Sequence, residues 1–561
     1  MEMEQLVKKW RALALQAALY ALVGMGVAAC GSGNTGPAGP AGPAGASGQM
    51  SVMTDKGPVL GLNTATQREF FGIPYAAPPV ANLRWQPPQP HDPWFTPVEA
   101  TAFAPHCVQA ASPFGTASTS EDCLYLNVYA PPGPGPYPVM VWVHGGALMV
   151  GQSDTYDPTA LVAQGVVVVT INYRLGALGF LTLPSLGSLK GSAGNYGLLD
   201  QQAALKWVQT NIAGFGGDPT NVTLFGESAG GLSTHSQIVS PLAKGLFTKA
   251  IVESGAYSLT AASMAQASSA GSAFATAAGC PNADAACLLA LPVSSILANN
   301  ALVEIGGTGL ATVDGVVLPQ TIIGAIAAGS FNKVPVMEGS NQHEYSLLSA
   351  IGVDIALGHE IGATDYPTQI NAAFGPQLGG AIQTAYPLTL PHTPAWIYDD
   401  VFTDFLFACQ GREMAQALNI QNVPVYTYEF ADPSPPLTSS IIFPGIGPRK
   451  EGYGAYHSSE LQFVFPSAIN LNFLVTPVTS AVYTPAETAL SAQMVGFWSQ
   501  FAKSGNPNVA GSTAWPAYTV ANDTYMTLAP GATASTNGFS AEHNCDSFWV
   551  PSTLVAPASK L

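Results

Sequence analysis

Gly226-Glu227-Ser228-Ala229-Gly230 sets a serine between two glycines at the spacing of a nucleophile elbow. In such an elbow the chain turns sharply from strand to helix, which pushes the serine Oγ into an open site. Glycine on either side leaves room for the tight backbone and for an approaching substrate. The pentapeptide alone is weak evidence. With 58 Gly in 561 residues, glycine and serine frequencies near ~0.1 give roughly half a chance match in a chain this long. Its flanks strengthen it: Asn221-Val-Thr-Leu-Phe225 is a short β-like run, and residues 229–239 lack proline and can be helical.

A serine hydroxyl is a poor nucleophile at its own pKa, so Ser228 needs a base, and the base needs an orienting acid. Behind a strand–turn–helix serine, acid and histidine follow in chain order. The downstream candidates for the base are His343, His359, His392, His457 and His543. His543 stands two residues from Cys545, as if pinned near a crosslink, and His392 is hemmed by Pro391 and Pro394. His457 follows Gly-Ala-Tyr and precedes Ser-Ser-Glu460, a polar loop with room for a mobile imidazole. Residue types alone do not choose among them.

The elements that must position these groups read as strands alternating with helices. Val139-Met-Val-Trp-Val143 and Val166-Val-Val-Val-Thr-Ile171 are short runs rich in β-branched residues, expected for strands covered on both faces. Residues 198–208 carry apolar side chains near helical spacing, and Gly214-Phe-Gly-Gly-Asp-Pro219 stops them. Further strands are expected at 250–253, 334–337 and 423–430. The alternation predicts an α/β fold around a mostly parallel central sheet flanked by helices. Its active site should lie beyond the carboxyl ends of the strands, where Ser228 falls.

Several segments then converge on one family. Phe71-Gly-Ile-Pro-Tyr-Ala-Ala-Pro-Pro79, Glu121-Asp-Cys-Leu-Tyr-Leu-Asn-Val128, Asn172-Tyr-Arg-Leu-Gly176 and residues 214–231 resemble the type-B carboxylesterases. That family includes cholinesterases and bacterial para-nitrobenzyl esterases. Gly339-Ser-Asn-Gln-His-Glu344 resembles its acid loop and Gly454-Ala-Tyr-His-Ser-Ser-Glu460 its histidine loop. The resemblance implies an α/β-hydrolase fold with loop and helical insertions over the site, and a serine ester hydrolase without metal or cofactor. It makes Ser228 the nucleophile, Glu344 the acid and His457 the general base. His144-Gly-Gly-Ala147 falls where the family has its oxyanion loop, making the backbone N–H groups of Gly146, Ala147 and Ala229 the implied donors. Ala147 stands where many members have a third glycine, and Leu148 where an aromatic is usual; His144 reads as structural. The resemblance also implies ion pairs Arg84 with Glu121 and Arg174 with Asp218. Such pairs fix loops around a site and are not chemistry. Glu227 matches the family but has no role derivable from the sequence.

Ahead of the enzyme-like region, Lys8, Lys9 and Arg11 precede an apolar stretch over 12–27 that ends in Val27-Ala-Ala-Cys30. This resembles a bacterial lipobox, implying a signal over 1–29, lipidation of Cys30 and an exported protein on a membrane, the outer one favoured; the alternative is a secreted protein in which Cys30 is incidental. Gly36-Pro-Ala-Gly-Pro-Ala-Gly-Pro-Ala-Gly45 follows, and residues 30–50 read as a solvated tether. With no second linker or repeat, residues 51–561 read as one large domain. A net charge of −17 argues against nucleic acid and against an anionic membrane patch. The expected partners are a small ester substrate and, through lipid alone, a membrane. Six cysteines besides Cys30 allow fifteen pairings, and spacing does not choose; the resemblance implies Cys107–Cys123, Cys280–Cys287 and Cys409–Cys545. No C-x-x-C occurs and the histidines are scattered, so no metal is expected. The 107–123 loop lacks Trp and Tyr, whereas cholinesterases carry an aromatic there for the choline cation. The expected activity is therefore hydrolysis of short- to medium-chain or aryl esters, not choline esters. A binding protein on the same fold, or an amidase, thioesterase or lipase using the same residues, are the alternatives. Residues 260–278 and 346–363, rich in small side chains, are candidate walls or lid of the acyl pocket.

Overall fold

The apolar runs dictate a sheet with two buried faces. In residues 139–143, Val139, Val141 and Val143 enter one core with Val167, Val169, Leu224 and Val252. Met140 and Trp142 enter a second core with Val168, Phe225 and Ile251. Successive side chains of a strand point to opposite faces, so a run apolar at every position needs cover on both. The helices Tyr196–Asn211 and Ala229–Val239 cover the first face, and Pro485–Ser504 covers the second. The last is well delimited: Thr484 caps it, Glu487 completes the reciprocal box, Pro485 occupies its first turn, and Gly505 ends it at φ 75°.

A computed structural model describes residues 48–187, 193–303, 311–436, 448–466 and 482–549. Among them the main sheet has thirteen strands. Its spatial order is Gly48–Met53, Pro58–Asn63, Arg68–Pro74, Tyr125–Ala130, Val167–Ile171, Tyr137–Val143, Gly217–Glu227, Lys249–Glu253, Val336–Asn341, Val425–Phe430, Tyr525–Leu528 and Ala534–Thr536. Val98–Glu99 pairs off this path with Pro58–Asn63. Strands from Val167–Ile171 through Tyr525–Leu528 run parallel; outside that block the strands on the path pair antiparallel, and Val98–Glu99 pairs parallel with Pro58–Asn63. This is the α/β-hydrolase architecture, a mostly parallel sheet flanked by helices. Tyr137–Val143 lies between Val167–Ile171 and Gly217–Glu227, so strand order reverses there. Open α/β sheets bind ligands beyond the carboxyl ends of strands at such a switch point.

Boundaries differ from the sequence reading where turn chemistry intervenes. The helix over 196–211 runs into a 3₁₀ turn, Ile212–Phe215, and the next strand begins at Gly217 rather than Asn221. A bulge absorbs the extra residues, since pairing jumps from Tyr137↔Gly217 to Val139↔Val222. The strand expected from Val334 starts at Val336 and runs on to Asn341. Within 260–278 lies the helix Met264–Ala277, capped by Ser263, and 346–363 falls largely in helical turns after Tyr345.

Cys107 is bonded to Cys123, Cys280 to Cys287 and Cys409 to Cys545. Cys30, the 1–29 signal and most of the tether lie outside the described residues. Among the described residues, no helix is long and apolar enough to cross a membrane.

Candidate active site

Ser228 sits between Gly217–Glu227 and Ala229–Val239, with φ 55° and ψ −120°. That conformation costs on the order of 1–3 kcal/mol for a non-glycine residue, and the surroundings must enforce it. They do so through hydrogen bonds on both sides: the Ser228 N–H donates to Glu253 O at 2.8 Å, and the Leu232 N–H donates to Ser228 O at 2.8 Å. The flanking glycines answer a close approach. A Cβ on Gly230 would lie 1.9 Å from Val143 O, and one on Gly226 would lie 2.6 Å from Val143 O and from Gly230 C. Helix and neighbouring strand therefore meet only if both positions lack a side chain. Ser228 is half-buried, while Glu227 and Ala229 beside it are buried.

The candidate oxyanion loop leaves the adjacent strand at Val143. Gly146, Ala147 and Leu148 all have positive φ, at 99°, 57° and 61°. For Ala147 and Leu148 the left-handed region is costly, by roughly 1–2 kcal/mol each. Packing and hydrogen bonds hold the loop: Met149 and Val150 N–H groups donate to Gly146 O at 2.9 and 3.0 Å, and the Gly176 N–H donates to Leu148 O at 2.7 Å. Leu148 is buried; Gly146 and Ala147 are half-exposed. His144 anchors the base of the loop, stacked on Tyr173 at 4.4 Å, while the Tyr173 hydroxyl donates to His144 O at 2.8 Å. Burial holds the His144 pKa down at about 4, so its ring is neutral.

Glu344 follows the strand Val336–Asn341 at the same sheet edge. It is fully buried, and Glu344 Oε2 lies 2.6 Å from His457 Nδ1. Glu344 Oε1 accepts from the Asn341 N–H at 2.8 Å, which fixes the carboxylate plane. His457 Nε2 lies 3.3 Å from Glu227 Oε1, and that oxygen also accepts from Ser458 Oγ at 2.7 Å. Sequence reasoning missed this contact, although Glu227 adjoins the nucleophile. Burial pushes the Glu227 carboxyl up, against the opposing pull of His457. Glu253 and Glu460 are also buried behind the site, and burial raises both, Glu253 to about 8 and Glu460 well above the carboxylate range. The Trp498 Nε1–H donates to Glu253 at 2.9 Å, and Asn341 Nδ2 donates to Glu460. At His457 burial disfavours the imidazolium, but Glu227 and Glu344 outweigh it and raise the pKa above its ordinary value.

The other downstream histidines are engaged elsewhere. His543 is clamped between Asp404 and Glu429, at 2.6 Å from each. His359 and His392 face solvent near Asp365 and Glu451. His343 packs on Trp396, and its Nδ1 accepts from the Ala455 N–H at 3.3 Å. Arg84 pairs with Glu121 at 2.5 and 2.6 Å. The expected partner of Arg174 is corrected. Its guanidinium forks onto Asp200 at 2.7 and 2.8 Å, and its backbone N–H meets the same carboxylate. Asp218 instead closes its own turn on Thr220 N and Oγ1. Among the described residues, one cluster could offer metal ligands, Glu429, Glu542 and His543, but His543 is already saturated by hydrogen bonds to two carboxylates.

The carboxylesterase family model matches residues 48–549. The chain belongs to the carboxylesterase family. It is 35% identical over 504 residues to rat carboxylesterase 1C, covering 83% of this chain and 87% of that one. To human cocaine esterase it is 35% identical over 489 residues, with 82% and 83% covered. The fold matches the solved structure of a PNB esterase with a TM-score of 0.72 at 34% identity, covering 88% of this chain and 98% of that one. A thermophilic PNB esterase matches with a TM-score of 0.73 at 33% identity. The protein is a serine carboxylesterase, an enzyme that hydrolyses carboxylic esters.

Proposed function

We propose that ester hydrolysis runs through an acyl-enzyme on Ser228, with His457 as general base and Glu344 as its orienting acid. The observation that carries this reading is the 2.6 Å contact of Glu344 Oε2 with His457 Nδ1, at the sheet edge where Ser228 holds a strained backbone. Ser228 Oγ attacks the ester carbonyl while His457 Nε2 takes the hydroxyl proton. The tetrahedral oxyanion meets the N–H groups of Gly146, Ala147 and Ala229; one such donor contributes about 3 kcal/mol of barrier lowering. Collapse breaks the bond to the alcohol, which leaves with the proton from His457. Water then repeats the sequence and frees the acid and Ser228. Glu344 holds the imidazole tautomer and stabilises its charged form. Glu227, at 3.3 Å from Nε2, adds a second carboxyl to that charged form.

The favoured substrates are short- to medium-chain or aryl esters. The loop closed by Cys107 and Cys123 carries Phe114 but no Trp or Tyr to bind a choline cation. The sequence pattern at Cys30 supports an exported, lipid-anchored enzyme; radiolabelled fatty acid should enter the parent chain, and its equal entry into Cys30→Ser would refute the anchor.

The reading is tested by hydrolysis of p-nitrophenyl esters from acetyl to palmitoyl, using the full-length chain beside Ser228→Ala. The parent should turn over the shorter esters, and the variant should lose activity by a factor on the order of 10⁴–10⁶. A folded parent inactive on the whole series, or an active variant, would overturn it.

A further inference from the structure

Glu344 and His457 are 113 residues apart in the chain, so something must hold their segments in register. A ladder of hydrogen bonds joins them. The His343 N–H donates to Ala455 O at 3.0 Å, and the His457 N–H donates to Glu344 O at 3.2 Å. Asn341 Nδ2 donates to Tyr456 O at 2.9 Å, and Ser346 Oγ donates to Tyr453 O. Each of these bonds is short in reach, and a loop tied by them alone could slide or fray at its upstream end.

Arg449 closes that end. Its side chain is 4% exposed, and its Nε donates to Asp354 Oδ2 at 2.8 Å. Its Nη1 meets Asp399 Oδ2, and its Nη2 donates to Ser349 Oγ at 2.8 Å. Both carboxylates are 2% exposed. The guanidinium also lies 5.7 Å from the centre of the Tyr453 ring, immediately before the histidine loop. Asp354 is fixed in turn, because its Oδ1 accepts from the Ile361 N–H at 3.1 Å. Two neighbours add to the fastening: the Lys450 N–H reaches Glu360, and Glu451 accepts from Thr393 N and Oγ1 at 2.8 and 3.0 Å.

The placement gives this ion cluster a bearing on the reaction. The helix Tyr345–Ser349 begins immediately after Glu344 and continues into the turn Ala350–Asp354. Arg449 therefore grips, through Ser349 and Asp354, the rod whose N-terminal end carries the acid. It stands eight residues before His457, on the loop that carries the base. We propose that Arg449 is a positioning residue for the reaction: its forked guanidinium sets the register of the His457 loop on the Glu344 helix. This inference rests on the roles given above to Glu344 and His457. A planar fork with fixed donors specifies register in a way that a flexible ammonium does not.

An equally buried arginine serves as a comparison. Arg412 forks onto Asp523 and Asp546, at 2.9 Å to each, but ties the C-terminal segment and not a site residue. The test measures kcat, KM, the pH profile and the melting temperature of the full-length parent, Arg449→Lys, Arg412→Lys and Ser228→Ala on a p-nitrophenyl ester. Lysine keeps the charge and loses the fork. Arg449→Lys should lower kcat by about tenfold or more with KM within about twofold, since small misplacements of reacting groups cost rate. Its acid limb should also move to lower pH, because His457 loses part of the carboxylate contact that raises its pKa. Arg412→Lys should lose thermal stability with kcat unchanged. A folded Arg449→Lys with parental kcat and pH profile, or an equal loss of kcat in Arg412→Lys, would overturn the inference. If Arg449→Lys does not fold, Ser349→Ala removes one of the fork's partners without touching charge. It should lower kcat with KM held, and a parental kcat there would refute the role. Ser228→Ala reports separately on the underlying reading: if it stays active, both fall.

Discussion

Ser228 and His457 stand at the same sheet edge, but their supports differ in kind. The nucleophile is set by backbone: a strand that ends at Glu227, a helix that starts at Ala229, the Glu253 carbonyl that takes its N–H, and two glycines that let the helix press on Val143 O. The histidine is set by distant residues, with Glu344, Glu227 and Arg449's partners all brought to it by the fold. Backbone geometry positions the first, and a web of buried side-chain hydrogen bonds positions the second. The lesson is one of robustness. A backbone-coded support fails by steric clash, whereas a side-chain-coded one fails by loss of charge or register.

Changes on the two sides should therefore fail differently. Among changes to the supports rather than to the nucleophile itself, the largest effect on rate is expected on the histidine side. Glu344→Gln preserves shape but removes the charge that fixes the tautomer, so kcat should fall by about 10⁴-fold while the protein stays folded. Steady-state kinetics with circular dichroism checks this; a loss under tenfold would mean that Glu227 does the orienting instead. On the nucleophile side, Gly230→Ala forces a Cβ to within 1.9 Å of Val143 O. Helix and strand must then part, and stability should drop by about 3 kcal/mol or more together with activity. An unchanged denaturation midpoint would show that the elbow tolerates a side chain at Gly230.

The smallest effect should come from the residue that touches both sides. Glu227→Gln removes a carboxyl 3.3 Å from His457 Nε2. Burial lowers the His457 pKa, and Glu227 with Glu344 raises it above the ordinary value. A general base must be neutral, so the rate climbs with pH as the imidazolium loses its proton. With one raising group gone the His457 pKa falls, and the acid limb of kcat/KM should move to lower pH. An acid limb that stays in place would mean that Glu227 is protonated throughout the working range and exerts no field on the imidazole.

Much of the molecule was legible from local signals. The β-branched runs at 139–143 and 166–171 mark doubly covered strands, because an apolar residue at every position leaves no face for water. The elbow was legible because its constraint is local, in five adjacent residues. The acid and base segments were legible only through resemblance, since six histidines follow Ser228 and residue types alone do not choose among them. What separates them is which carboxylate each one meets: Glu344 for His457, but Asp404 and Glu429 for His543.

Where the reading of Arg174 failed, the reason is physical. Asp218 is consumed by its own turn, and Asp200 arrives from the first turns of the following helix to meet both the guanidinium and the backbone N–H of Arg174. Sequence by itself thus determined what depends on the next few residues: strand and helix periods, the strained serine and the glycines that permit it. Only the tertiary structure decided which buried charges face one another. Desolvation makes those pairings strong over a few ångströms, and no spacing along the chain encodes such a distance.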